Sequence, residues 1–256
     1  MKAIWNGSVG FGLVNIPVKL YSATQQSSLD LDMVDKRDFG KIHFQRVNEK
    51  TGQEVTWENI AKAYDDHGHY IMLEEEDFEQ AAPEKSKVIA IAHFVNEHEI
   101  DTIYFENAYY LEPEKSGAKA YALLREALIK SGKVGLAQLV LRTAATLCVI
   151  KPLNNILVLN KIRFPEEIRS TDEFNLPEKS AINPAALKMA MALIDQYTAP
   201  FEIKKYKDEY SAALLKVIKA KENGQQKWTP KFNITQTYSQ DLMVQLKASL
   251  EKRKVS

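Results

Sequence analysis

Residues Val14-Asn15-Ile16-Pro17-Val18-Lys19-Leu20 alternate apolar and polar side chains without a break. At period two this predicts a half-buried strand with Asn15, Pro17 and Lys19 on its open face. Pro17 carries no N–H, which places it at a sheet edge or next to a bulge. Just upstream, Val9, Phe11 and Leu13 alternate with Gly10 and Gly12 in the opposite phase, so the pattern slips by one residue between Leu13 and Val14. A bulge or sharp bend, common where sheets curl into barrels, would absorb the slip. Further strand-like runs are 42–47, 70–73, 88–95, 108–111, 147–150 and 156–164, the last with Lys161 and Arg163 on one face.

Helical spacing appears later in the chain. Residues 115–130 carry Ala120, Leu123, Leu124, Ala127 and Leu128 at helical intervals and stop at Ser131-Gly132. Asn183-Pro184 reads as an N-cap followed by a first-turn proline, opening a helix through Leu187, Met191, Ile194 and Tyr197 that ends before Pro200. Another runs from about Asp208 through Leu214, Leu215, Val217 and Ile218 to Asn223-Gly224, with Lys219 and Lys221 in its last turn as the helix dipole favours. Residues 225–238 read as a linker. A short final helix capped by Ser239 carries Leu242, Leu246 and Leu250 and finishes in Lys252-Arg253-Lys254. The domain organisation expected is a core over 1–224, the linker, and a terminal element over 239–256.

Composition changes this picture through the distribution of charge. The 256 residues hold 34 basic and 34 acidic side chains, a formal charge of zero that advertises no polyanion partner. The balance is uneven: −12 over residues 30–112, +7 over 113–165 and +7 over 203–256. Such blocks allow a local positive surface while an acidic face points elsewhere; solvated faces are the plainer reading. A chain of this length buries a full core without disulfide or metal. The one cysteine, Cys148, sits in an apolar run and is expected to be a buried small hydrophobe, as suits a reducing cytoplasm. The start of the chain lacks the apolar run of a signal peptide, and no stretch reaches the roughly 18 apolar residues of a membrane span, so a cytoplasmic protein with no membrane partner is expected.

The search for catalytic signatures returns little. Gly7, Gly10 and Gly12 read in the reverse order of the dinucleotide fingerprint, and strand curvature explains them better. P-loop, nucleophile-elbow and zinc-hydrolase motifs are absent. His67-Gly68-His69 could chelate a metal, but a polar turn fits better where no second ligand pair stands at ligand spacing. Glu74-Glu75-Glu76-Asp77 could hold Mg²⁺ as the centre of a metal-dependent nuclease or other β-barrel enzyme, although four acids ahead of Phe78 suit a helix N-terminus. Trp5 and Tyr109-Tyr110 could stack on bases but read as core aromatics. Neither a catalytic residue nor a cofactor or metal ligand is assigned, and binding is favoured over enzymatic activity.

Taken whole, Ile4-Trp5-Asn6-Gly7-Ser8-Val9-Gly10-Phe11-Gly12-Leu13-Val14-Asn15-Ile16-Pro17-Val18-Lys19-Leu20-Tyr21-Ser22-Ala23-Thr24 resembles the opening of the bacterial Ku family, the DNA-end-binding proteins of prokaryotic non-homologous end joining. The likeness continues through Ile100-Asp101-Thr102-Ile103-Tyr104-Phe105, Tyr109-Tyr110-Leu111-Glu112-Pro113 and Ala120-Tyr121-Ala122-Leu123-Leu124-Arg125-Glu126-Ala127-Leu128. It extends over 201–224, with Tyr206-Lys207-Asp208-Glu209-Tyr210 and Lys221-Glu222-Asn223-Gly224.

The resemblance implies a mixed β/α fold: a β-barrel core, an extended arch-like insertion that forms a ring in a homodimer, and C-terminal helices. It also implies double-strand break repair, in which the ring threads onto double-stranded DNA ends and an ATP-dependent DNA ligase is recruited. Such a ring needs distributed cations on its inner surface, with little base readout. By the resemblance, Lys19 matches a family lysine and Arg142 lies where the family is basic. Lys36, Arg37, Lys41 and Arg46 fall where the arch is expected. The segment Arg142-Thr143-Ala144-Ala145-Thr146-Leu147 departs from the family pattern in carrying less charge. Residues 239–256 are read either as a docked terminal helix or as the ligase-recruiting element.

Overall fold

The computed structural model describes residues 1–81, 87–141, 144–176, 183–224 and 244–246. Its elements run in chain order as β1 (Trp5–Phe11), β2 (Val14–Ser22), β3 (Lys62–Asp66), β4 (His69–Leu73), α1 (Glu75–Ala81), β5 (Val88–Asn96) and β6 (Phe105–Pro113). They continue as α2 (Ala118–Ser131), β7 (Lys133–Leu141), β8 (Ala144–Leu153), β9 (Ile156–Ile162), α3 (Pro184–Tyr197) and α4 (Glu209–Glu222). The chain divides into two compact units, one of residues 1–26 and 31–170, the other of 27–30 and 171–256.

The first unit is built on a closed barrel in the order β1-β2-β6-β9-β8-β7-β5. Neighbours are antiparallel except at the seam, where β1 pairs β5 in parallel through Ser8↔Val88 and Gly10↔Ala90. The slip at Leu13/Val14 is a two-residue hairpin turn joining the paired residues Phe11 and Val14, not a bulge. Gly12 takes φ +54° there, a conformation that costs glycine nothing. Pro17 does not mark an edge, because β2 has a neighbour on each side. It stands opposite Ser8 of β1, one residue before the β6 ladder begins at Val18↔Pro113, and its carbonyl accepts from Glu114 N at 2.9 Å.

Alternation delivers the barrel interior as the period-two argument requires. Ile16, Val18 and Leu20 are fully buried with Ile89, Leu111, Ile150, Leu157 and Leu159, each such side chain contributing about 2 kcal/mol. Cys148 is buried among them, its Sγ donating to Ala137 O at 3.3 Å, and burial pushes the thiol up to about 12. The first helix predicted from spacing is α2, preceded by a 3₁₀ turn at Lys115–Gly117 and closed by Gly132 at φ +64°. It packs Tyr121, Leu124 and Leu128 onto the barrel core. Tyr121 spans a ladder position: its hydroxyl donates to Leu111 O at 2.7 Å and accepts from Leu157 N at 2.6 Å, and Leu111 and Leu157 are paired residues of β6 and β9.

Strand β7 escapes period-two detection because apolar residues occupy both of its faces, Gln138 alone being exposed. Ala137 and Leu139 face the interior. Val134 and Leu136 belong to a second cluster with Val149 and Ile162, covered by Ile100, Tyr104 and Phe105 of the segment that crosses from β5 to β6. The run 42–47 is not a strand. Only isolated bridges, Val34↔Lys41 and Val47↔Glu54, form there, since no adjacent strand or core takes up Ile42 and Phe44.

In the second unit α3 starts where predicted, Asn183 Oδ1 accepting from Ala185 N at 2.9 Å ahead of Pro184. Asp208 caps α4 by accepting from Ser211 N at 3.0 Å. Neither helix buries a residue, and Leu187, Met191, Ile194 and Tyr197 of α3 are exposed. The expected linker at 225–238 lies outside the described residues, as does most of the terminal element, of which Val244–Leu246 is helical.

Replacing Tyr121 by Phe strands the buried Leu111 carbonyl and Leu157 amide while keeping the ring. Urea denaturation is expected to show a loss of about 2 kcal/mol; an unchanged midpoint would contradict the role given to the hydroxyl.

Candidate nucleic-acid interface

Strand directions fix where the long insertion leaves the barrel. β2 ends, β5 begins, β7 ends and β8 begins at one rim, because antiparallel neighbours alternate in direction and β5 runs parallel to β1. The chain between Ser22 and Val88 therefore departs from and returns to the rim that also carries Leu141 and Ala144. Both feet are hydrogen-bonded to the barrel: Ala23 N donates to Ala108 O at 3.0 Å, and Ser8 N to Lys87 O at 2.9 Å.

Within the insertion two short turns follow one another. The first closes through Asp35 N to Gly40 O at 2.8 Å and Ile42 N to Met33 O at 3.1 Å. It carries Lys36, Arg37 and Lys41 together. The second closes through Val55 N to Arg46 O and Asn48 N to Gln53 O, both at 2.8 Å, and carries Arg46. Beyond them β3 and β4 form a hairpin whose turn is His67-Gly68, at φ +50° and +90°, with Asp65 Oδ1 accepting from Gly68 N at 2.7 Å. The histidine pair is thus a polar turn. The four acids at Glu74–Asp77 start α1, and Asp77 Oδ2 accepts from Glu74 N at 2.8 Å, as helix-terminus acids do. Among the described residues no three His, Cys, Asp or Glu side chains converge on a metal-sized site.

The cations of the insertion differ in what holds them. Arg37 grips Asp35 with two nitrogens, Nε at 3.1 Å and Nη2 at 2.6 Å. That fork holds the Asp35 carboxyl below its ordinary value, chiefly through the side-chain hydrogen bonds, and raises Arg37. Lys41 pairs with Asp32 at 3.1 Å. Lys36 is exposed beside them. Arg46 lies over the Trp57 ring, its guanidinium carbon 4.1 Å from the centroid. Lys19 sits elsewhere, on the outer face of the barrel opposite Glu112, whose Oε2 accepts from the Tyr21 hydroxyl at 2.7 Å. That carboxylate raises the Tyr21 hydroxyl above its ordinary value. Arg142 lies outside the described residues.

The basic block 113–165 is largely spoken for by contacts that no local spacing announces. Lys151 pairs with Glu97, and Lys161 pairs with Glu106 at 2.9 Å. Lys133 Nζ donates to Asn96 Oδ1 at 3.1 Å. Arg163 Nη1 reaches Phe105 O at 3.2 Å, and Arg125 joins Glu126 to the Asn155 carbonyl. Lys161, Lys133 and Arg163 bind neighbouring barrel strands, Lys151 holds the crossing segment, and Arg125 ties α2 to the β8–β9 turn.

The sequence profile of the Ku70/Ku80 beta-barrel domain matches residues 10–189. The chain belongs to the Ku family. It is similar to proteins named non-homologous end joining protein Ku. That of Coxiella burnetii is 39% identical, over 86% of this chain and 82% of the relative. The Bacillus subtilis protein is 37% identical, over 98% and 82%. The Archaeoglobus fulgidus protein is 36% identical, over 88% and 90%. The closed barrel with its long insertion agrees with that membership, and no described helix is long and apolar enough to cross a membrane.

Because Arg37 stabilises the ionised form of Asp35, the pairing is intact at neutral pH and is lost as pH falls through the lowered value. Carboxyl NMR titration is expected to find Asp35 below the ordinary aspartate range, returning to it in Arg37→Ala; an ordinary value in the unsubstituted protein would contradict the fork.

Proposed function

We propose that this Ku chain acts as a homodimeric ring that binds double-stranded DNA ends independently of sequence in non-homologous end joining, and that it recruits and stimulates an ATP-dependent DNA ligase. One observation carries the ring: an insertion springing from a single barrel rim whose apolar residues are uncovered in the single chain. Phe39, Phe44, Tyr64, Tyr70 and Met72 are all at least 60% exposed, and no residue of β3, β4 or α1 is buried. Uncovered apolar surface on this scale marks an interface, and a second copy of the insertion supplies a symmetric cover. The names of the relatives support the pathway.

The chemistry asked of such a ring is positional. Phosphates are uniform along a duplex, so scattered cations such as Lys19, Lys36, Arg37, Lys41, Arg46 and Arg142 suffice without a base-reading element, and no bond is made or broken. The protein therefore acts as a binding and aligning component, not an enzyme. Acids outnumbering cations along the insertion matter less than which face each occupies. A closed ring admits DNA only from an end, which converts weak sequence-independent contacts into recognition of breaks. An obligate dimer of this kind buries roughly 2,000–5,000 Å².

Light scattering is expected to give a dimer at micromolar concentration, and gel shifts are expected to retain linear duplexes but not relaxed closed circles of the same sequence. Equal retention of both, or a monomer, would contradict the ring. Ligase hand-over is assigned to residues 239–256: a chain ended at residue 238 should keep end binding and lose stimulation of end joining by the partner ligase, and undiminished stimulation would remove that assignment.

A further inference from the structure

We infer that Trp57 is a positioning residue for phosphate contact, acting through Arg46, and that Arg46 is the insertion's principal phosphate-binding arginine; this rests on the DNA-binding reading above. The argument starts from the company each cation keeps. The two nitrogens of Arg37 that face Asp35 are occupied and its charge is offset by the carboxylate, and Lys41 is likewise offset by Asp32. A phosphate must compete with those carboxylates. Arg46 is held by a neutral partner instead, the Trp57 ring 4.1 Å below its guanidinium carbon.

Stacking uses the flat face of a guanidinium and leaves the N–H groups around its edge free to donate in the plane. It also fixes the orientation of a side chain that would otherwise lose rotamer freedom on binding. Glu54, an acid of the same turn, is engaged elsewhere. It stands in the bridge with Val47, and its carboxylate lies 3.5 Å from the amide of Gln45, the residue before Arg46. The backbone bond from Val55 N to Arg46 O sets the turn that brings Trp57, two residues further on, under the guanidinium. Trp57 remains 70% exposed while making this contact, so the ring is not buried as a core residue, and the stack sits in solvent where a duplex can reach it.

The test compares salt-dependent binding of a linear duplex by the full chain and by Arg46→Ala, Arg46→Lys, Trp57→Ala and Trp57→Phe, with circular dichroism and light scattering confirming fold and assembly. Removing Arg46 is expected to lower the slope of log affinity against log salt by about 0.9 for each arginine lost. Trp57→Ala keeps the charge, so its slope should match the unsubstituted protein while affinity falls about three-fold for each stack lost, the size of an exposed cation–π contact. Trp57→Phe should recover most of that loss, and Arg46→Lys, which keeps charge without a planar face, should resemble Trp57→Ala. The double variant Arg46→Ala/Trp57→Ala should bind as Arg46→Ala alone. An unchanged slope in Arg46→Ala, or additive losses in the double variant, overturns the inference while end binding by the unsubstituted protein leaves the parent reading intact. Absence of duplex binding by the unsubstituted protein overturns both.

Discussion

The seam between β1 and β5 is the constraint on which the barrel unit depends. Six antiparallel ladders bring the two strands together, and the sheet closes by a short parallel pairing at Ser8–Gly10 and Val88–Ala90. Parallel pairing demands a long connection, and the chain supplies one in the excursion from Ser22 to Val88. The backbone must come close at the joint: a Cβ on Gly7 would run into both the Lys87 carbonyl and the Trp5 ring. Glycine there is thus a requirement of closure. The same contact anchors the returning foot of the insertion, since Lys87 O accepts from Ser8 N. Closing the barrel and planting the insertion thus rest on the same stretch of backbone.

Charge distribution follows from where the elements lie. On the barrel, cations are used in holding strand to strand and in tying the crossing segment and α2 to the strands, so the +7 block has a large structural component. On the insertion, Arg37 and Lys41 are held by carboxylates and Arg46 by an aromatic face, each from a residue close by in the chain. A carboxylate partner lowers the attraction left for a phosphate, whereas a ring leaves it intact. The net charge of a segment therefore says less about nucleic-acid binding than the identity of each cation's partner does.

Much of the architecture was legible because its signals are local. Alternation from Val14 to Leu20, the Asn183-Pro184 start, the Gly132 stop and the acids ahead of Phe78 each report a residue's own backbone or its immediate neighbours, and each appears in the structure as an element boundary or a buried face. β7 was not legible, because cover on both faces removes alternation. The run 42–47 misled for the opposite reason: its apolar residues lack a partner within the chain. Among the site residues, the grouping of Lys36, Arg37 and Lys41 follows from their closeness in sequence. The stack of Arg46 on Trp57 and the opposition of Lys19 and Glu112 do not.

By itself the sequence determined the family, the helices α2 to α4, the buried parity of β2 and the helix caps, since these depend on propensity, period and backbone demands within a few residues. Tertiary structure alone decided that Pro17 sits inside a closed sheet, that Tyr121 completes a ladder, that both feet of the insertion stand on one rim, and which cations of the barrel are already paired. Those outcomes depend on groups that chain folding brings together from tens of residues apart, and period and composition carry no record of such distances.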